Sequence, residues 1–143
     1  VLASSVVLAA YIPMLMDSGG NSGTQASTLI TRSLSLNEID TKSTWNVVAK
    51  EFKIGLLTGG ILAVVNFGRI LIMDDVNIYV TLTVSLTLIV VVTLSKVLGG
   101  LLPMIAEKLN QDPAVMSGPL ITTFVDTFAL AIYFQMASFL LGL

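Results

Sequence analysis

One acidic side chain lies inside an otherwise apolar segment and is the strongest candidate for chemistry. Asp126 is the only charged residue between Pro119 and Leu143. An ionised carboxylate in lipid is costly unless it meets water, a cation or a basic partner. Thr122 precedes it by four residues, so a helix would place the hydroxyl and the carboxylate on one face. Oxygen atoms of this kind suit a hard cation.

A second interpretation makes Asp126 one half of a buried ion pair. Arg69 and Lys96 are each the only charged residue in a neighbouring apolar stretch. We expect Arg69 near the outer end of its helix, whereas Lys96 can extend toward the inner end. Neither matches the depth of Asp126 well, but the residues alone leave both interpretations open.

A polar run follows the first apolar stretch and has no net charge from residue 18 to residue 31. Its three glycines would let helices approach closely within a membrane. Asn21 and Thr24 carry polar atoms that should face protein or water rather than lipid. The run favours a polar helix that lines an aqueous cavity; the alternative is a loop after a short helix.

Composition excludes most soluble functions. Of 143 residues, 55% are hydrophobic and only 11% are charged, the mean hydropathy is +0.91 and the net charge is −2. These values argue against a water-soluble enzyme, a nucleic-acid binder and a disordered chain. Cysteine and histidine are absent, which removes disulfides, thiolate sites and the commonest ligand for zinc, copper or haem. We therefore predict no enzyme.

Four apolar stretches define the predicted fold. The last three are long enough to span a bilayer, for which about 20 apolar residues suffice. We predict an all-α membrane protein, a polytopic transmembrane helix bundle with a cytoplasmic linker at about 35–53. The helices are predicted at about 1–34, 54–73, 76–106 and 113–142.

Basic residues predict the orientation, since lysine and arginine accumulate on the cytoplasmic side. Residues 32–53 are rich in them and residues 74–77 have none, which puts the former inside and the latter outside. Both ends of the chain then lie outside. We expect at least one further helix before Val1.

Two motifs resemble the MgtE family of magnesium channels. Residues 13–28, PMLMDSGGNSGTQAST, are similar to the second pore helix of that family, and residues 112–126, DPAVMSGPLITTFVD, to its last helix. The order of the intervening elements also agrees, so the resemblance covers essentially the whole chain.

The resemblance implies a homodimer with five helices per chain and a pore on its two-fold axis, one N-terminal helix being missing here. The chain would be the transmembrane pore domain, without the cytoplasmic N-domain and CBS domains that regulate the family. The family's pore carboxylate maps onto Asp126, and the neighbouring carbonyl one turn earlier maps onto Thr122. The other pore-lining positions implied are Gly20, Asn21, Thr24, Gly118, Pro119 and Thr123.

The expected function is a magnesium-selective ion channel that passes hydrated Mg²⁺, the transported ion, into the cytoplasm under the membrane potential. The expected partners are a second copy, the lipid bilayer and cytoplasmic regulatory domains, with no nucleic acid. The expected location is the inner membrane of a bacterium. A proton-coupled secondary transporter and a non-transporting membrane assembly module stay open as alternatives.

Overall fold

The computed structural model describes residues 2–116 and 118–142. Their backbone forms four long helices, which are α1 (Leu2–Ser35), α2 (Thr44–Met73), α3 (Ile78–Lys108) and α4 (Pro119–Leu141). Short 3-10 turns at Thr41–Ser43 and Pro113–Met116 precede α2 and α4. No strand occurs in these ranges, and the predicted all-α membrane fold is confirmed.

Helix α3 is the central element, because it contacts α1, α2 and α4. Apolar residues of all four helices meet in a core toward the end where α2 passes into α3, among them Leu15, Ile70, Val84 and Tyr133. The Tyr133 hydroxyl donates a 2.9 Å hydrogen bond to the carbonyl of Leu8. This bond ties α4 to α1 while satisfying a buried polar group.

Glycine lets α1 and α3 touch through their backbones. A Cβ atom built on Gly99 would overlap the carbonyl oxygen of Gly23, so no other residue fits at Gly99 without moving a helix. On the other side of α3, a Cβ on Gly55 of α2 would lie 2.7 Å from the Cα of Thr93. Lipid provides no hydrophobic driving force between helices, so membrane helices associate through close van der Waals contacts of this kind, which small residues permit.

Three segments within the described ranges are long and apolar enough to cross a membrane: Thr41–Met73, Ile78–Lys108 and Pro113–Leu141. They coincide with the last three predicted spans to within two residues, except that the first begins thirteen residues earlier than predicted. Helix α1 has 34 residues, or roughly 50 Å at 1.5 Å per residue, but its polar run lowers its hydropathy. The favoured interpretation of that run as helix is confirmed, since α1 continues unbroken through it.

The predicted linker at 35–53 is too long, because α2 begins at Thr44 rather than at residue 54. Hydropathy falls among Asn46, Lys50 and Lys53, yet no glycine or proline interrupts the chain there. Instead, Val47 and Glu51 are buried four residues apart on one face of α2. The segment between α1 and α2 is a short connection in which the carboxylate of Asp40 accepts the backbone N–H groups of Lys42 and Ser43.

The segment predicted as helical from about residue 113 begins with the 3-10 turn Pro113–Met116, and the α-helix α4 itself begins at Pro119. Gly118, the residue before α4, has φ 63°, a positive value that glycine adopts readily. Proline disfavours helical backbone in the residue before it and suits the first turn of a helix. The ends of α1 and α3 differ from the prediction by one or two residues, and Val1 lies outside the described residues.

Replacing Gly99 by alanine tests the backbone contact. We expect Gly99→Ala to lower the free energy of unfolding by about 1–3 kcal/mol, the usual effect of overpacking. Gly60 is the control, because a Cβ there meets nothing within 4 Å; Gly60→Ala should stabilise the helix by about 0.5–1 kcal/mol. Thermal unfolding in detergent measures both, and equal stability of the two variants would contradict the contact.

Candidate cation site

Contacts between α1 and α4 fix how the two helices lie against each other. A Cβ on Gly23 would lie 2.8 Å from a methyl group of Ile121, and one on Gly19 would lie 2.8 Å from a methyl group of Val125. Moving along α1 toward its start therefore means moving along α4 toward its end. The helices are antiparallel neighbours, and both rest on α3.

A cavity of about 270 Å³ opens where these two helices meet. It is lined by Met16, Asp17, Gly20, Asn21, Thr122 and Asp126. The structure thus brings together four residues that the sequence suggested as site residues, two from each helix. It adds Asp17, a second carboxylate that the sequence analysis did not select.

The polar lining lies on the surface of the single chain. Asp17 and Asn21 are exposed, and Thr122 and Asp126 are half-buried. The Asn21 Nδ2 atom donates a 3.1 Å hydrogen bond to Oδ2 of Asp17, one helical turn away. The cavity therefore presents two carboxylates, one amide and one hydroxyl along the same face.

Threonines of α4 satisfy their hydroxyl protons within the helix. The hydroxyls of Thr122 and Thr123 donate to the carbonyl of Pro119 at 3.0 and 2.8 Å. A hydroxyl that donates in this way keeps lone pairs to accept from another donor. Thr122 can therefore accept a hydrogen bond from a water molecule that enters the cavity.

The other residues suggested as pore-lining lie outside the cavity lining. Thr24 is half-buried one turn along α1 from Asn21, and its carbonyl accepts from the Thr28 hydroxyl at 2.9 Å. Gly118 and Pro119 form the start of α4, and Thr123 is exposed beside Thr122. Their roles along a longer path stay predictions.

The two basic residues considered as partners of Asp126 bond elsewhere. Arg69 forms an ion pair of 3.2 Å with Asp74 at the end of α2. Lys96 is 4% exposed, and its ammonium group donates to Oε1 of Gln25 at 2.5 Å. Within residues 2–116 and 118–142 no ion pair joins Asp126 to either of them.

A buried acid accompanies Lys96. Glu51 of α2 is only 4% exposed, and its side chain covers Gly100, since a Cβ there would lie 2.9 Å from the Glu51 Cγ. Gly100 and Lys96 are four residues apart on α3, so they share one face. An acidic and a basic side chain are therefore both buried in this part of the bundle, and within the described residues no ion pair of 4 Å or less joins them.

Comparison with known proteins places these features in a family. Residues 12–136 match the family model MgtE, described as a divalent cation transporter. The chain belongs to the MgtE family. It is accordingly a multi-pass protein of the cell membrane, and the family resemblance of its two motifs is confirmed.

Three curated relatives carry the name magnesium transporter MgtE. The protein of Thermus thermophilus is 35% identical over 141 residues, which is 99% of this chain and 31% of that protein. Those of Bacillus subtilis and Enterococcus faecalis are 33% and 30% identical, each over 96% of this chain and 30% of the relative. The chain thus spans about a third of the length of these relatives, whose names are those of transporters rather than enzymes.

Removing the charge of Lys96 should destabilise the bundle far more than removing that of Asp126. Lys96→Ala removes a buried side chain, its hydrogen bond to Gln25 and a positive charge on the face of α3 that faces Glu51, for which we expect a loss of about 3 kcal/mol. Asp126→Asn removes no observed ion pair, so we expect a change below about 0.5 kcal/mol.

Thermal unfolding in detergent measures both variants, with Lys53→Ala as the control because Lys53 is an exposed lysine of α2. A large loss of stability in Asp126→Asn would instead favour the assembly module, in which that carboxylate has a structural role.

Proposed function

We propose that the protein is a magnesium-selective channel that passes hydrated Mg²⁺ into the cytoplasm. The observation that carries this proposal is the polar cavity between α1 and α4, with Asp126 and Thr122 from one helix and Gly20 and Asn21 from the other. The names of the three relatives support magnesium as the ion.

The exposed position of this cavity favours a pore between two copies of the chain. Charged and amide side chains of membrane helices face protein or water, not lipid. In a two-fold dimer each copy would present the same face to the other. Two copies of Asp126 would then lie across the axis and offer a charge of −2 to a divalent cation.

The chemistry of the lining suits an ion that keeps its water. Mg²⁺ loses water reluctantly and is commonly held through one or two carboxylates while several waters stay bound. Those waters would donate hydrogen bonds to the carboxylate of Asp126 and to oxygen atoms of Thr122. The cavity residues would therefore bind the outside of the hydrated ion, and no complete protein cage is needed.

The membrane potential can supply the driving force. It is worth roughly 2.3 kcal/mol per charge per 100 mV, or about 4.6 kcal/mol for a divalent ion. An interior that is negative draws Mg²⁺ inward without ATP, so the proposal assigns no enzymatic activity. The proposed setting is the inner membrane of a bacterium, with cytoplasmic regulatory domains elsewhere in the full-length protein.

Asp126→Asn should abolish Mg²⁺ uptake, with a loss of at least about tenfold, or 1.4 kcal/mol. The reason is that the substitution removes one negative charge per chain from the cavity while preserving side-chain size. The measurement is uptake by proteoliposomes that contain the full-length protein under an imposed potential.

Glu107→Gln is the control for charge removal, because Glu107 is exposed at the end of α3. Crosslinking must show that the Asn variant still forms a dimer. Wild-type uptake by an assembled Asp126→Asn dimer would remove the basis of the proposed channel.

The second candidate is a proton-coupled transporter, favoured by the same carboxylate, because acidic residues within membranes also carry protons. For a channel we expect Mg²⁺ uptake under a potential with equal pH on both sides. The measurement is uptake at fixed potential with and without a pH gradient. A strict requirement for the gradient would establish exchange instead.

A further inference from the structure

We infer that Asp17 is a second carboxylate of the cation site and determines how strongly the site prefers divalent over monovalent ions. This inference rests on the proposed function, since it assigns a further residue to the same site. Asp17 lines the cavity together with Asp126. It comes from α1, so the two carboxylates are contributed by different helices.

The packing of α1 against α4 places Asp17 at the depth of Asp126. Gly20 lies opposite Thr122, since a Cβ on Gly20 would be 3.3 Å from the Thr122 Cγ2. Asp17 is three residues toward the start of α1 from Gly20, and Asp126 is four residues toward the end of α4 from Thr122. Because the helices are antiparallel, each step is about one turn in the same direction. The two carboxylates therefore lie at about the same depth along the helix axes, on opposite sides of the cavity.

Asn21 orients the Asp17 carboxylate. Its amide donates to one oxygen, Oδ2, at 3.1 Å, which leaves Oδ1 for a donor in the cavity. A hydrated cation presents donors only, so carboxylate oxygens are suitable acceptors for it. Asn21 thus supports the carboxylate and keeps its own carbonyl oxygen as a further acceptor.

A structural ion pair does not account for Asp17. Asp17 makes no ion pair within the part of the chain that the structure describes, where Arg69 is paired with Asp74 and Lys96 bonds to Gln25. On α1 itself the basic residue is Arg32, which lies fifteen residues away, roughly 22 Å along the helix. An exposed carboxylate on a membrane helix needs a cation or water, and the cavity provides for both.

Asp17 affects selectivity because it doubles the negative charge that the two copies of the chain place at the site. With Asp126 alone, a two-fold dimer offers −2 along the axis; with Asp17 it offers −4. Coulomb attraction grows with the charge of the ion, so each added carboxylate favours Mg²⁺ over K⁺ or Na⁺. Loss of Asp17 should therefore weaken Mg²⁺ binding more than monovalent binding.

The test is Asp17→Asn in the full-length protein reconstituted in liposomes. Asparagine keeps the size of the side chain and an oxygen that can accept from Asn21, and it removes only the charge. We expect the Mg²⁺ concentration for half-maximal uptake to rise about tenfold and K⁺ to compete at lower concentration. Asp17→Glu, which restores the charge, should recover much of the Mg²⁺ affinity.

Asp75→Asn is the matched control, because Asp75 is an exposed carboxylate in the turn between α2 and α3. Unchanged Mg²⁺ affinity in Asp17→Asn, with uptake still abolished in Asp126→Asn, would overturn the role of Asp17 and leave the channel standing. Wild-type uptake in Asp126→Asn would remove the channel and this inference together. Failure of Asp17→Asn to form a dimer would also overturn the inference, because it would show a structural role.

This chain contains no cysteine, so a cysteine introduced into it allows an independent test in the full-length protein, with any cysteine elsewhere in that protein replaced by serine. Asp17→Cys can be treated with a negatively charged or a positively charged methanethiosulfonate reagent. We expect the negative adduct to restore Mg²⁺ affinity, the positive adduct to block uptake, and Mg²⁺ to slow both reactions. Reaction rates that do not depend on Mg²⁺ would contradict a place for Asp17 at the ion site.

Discussion

The backbone contact between Gly23 of α1 and Gly99 of α3 is the constraint on which the geometry of the site depends. Any side chain at Gly99 would overlap the Gly23 carbonyl, so the contact determines how closely α1 lies on the central helix. Helix α4 packs on α3 as well, and the two outer helices therefore meet along one line. The polar cavity forms on that line because Gly20 lets Thr122 approach. Packing in the middle of the bundle thus positions the carboxylates at its surface.

The two exposed sides of the bundle differ in chemistry, and the difference indicates which side meets lipid. On α2, Leu57, Val64 and Ile72 are 67%, 75% and 86% exposed, and an apolar surface of this kind is suited to lipid. The surface where α1 meets α4 carries Asp17 and Asn21, with apolar side chains around them that include exposed phenylalanines of α4. A single helix cannot satisfy such polar groups in lipid, so this face requires water or a second protein surface. The proposed dimer provides both.

Hydropathy and turn chemistry predicted much of the fold. They failed where packing between helices determines which residues are helical or which side chains reach the cavity. Apolar length found α3 and the end of α2, and it missed residues 44–53, where a polar-looking segment buries Glu51 and Val47. At the site, Asp126 was predictable because it is the only charge in a long apolar run. Asp17 was missed because it follows an apolar stretch and resembles the polar end of a helix. Only the packing of α1 on α4 shows that it lies in the cavity, although its spacing of four residues from Asn21 was a usable signal.

The position of buried Lys96 is consistent with the proposed cation path, in which the carboxylates of the cavity attract the cation at their own depth in the bundle. Lys96 reaches Gln25, which lies two turns beyond Asp17, or roughly 12 Å along α1. An isolated ammonium group near a cation path would repel the ion that the carboxylates attract. Lys96 instead donates to a neutral amide, and the acidic side chain of Glu51 lies against the same face of α3. In the proposed channel the attraction for a cation would come from the carboxylates of the cavity, about two helical turns away from the level at which Lys96 is held by Gln25.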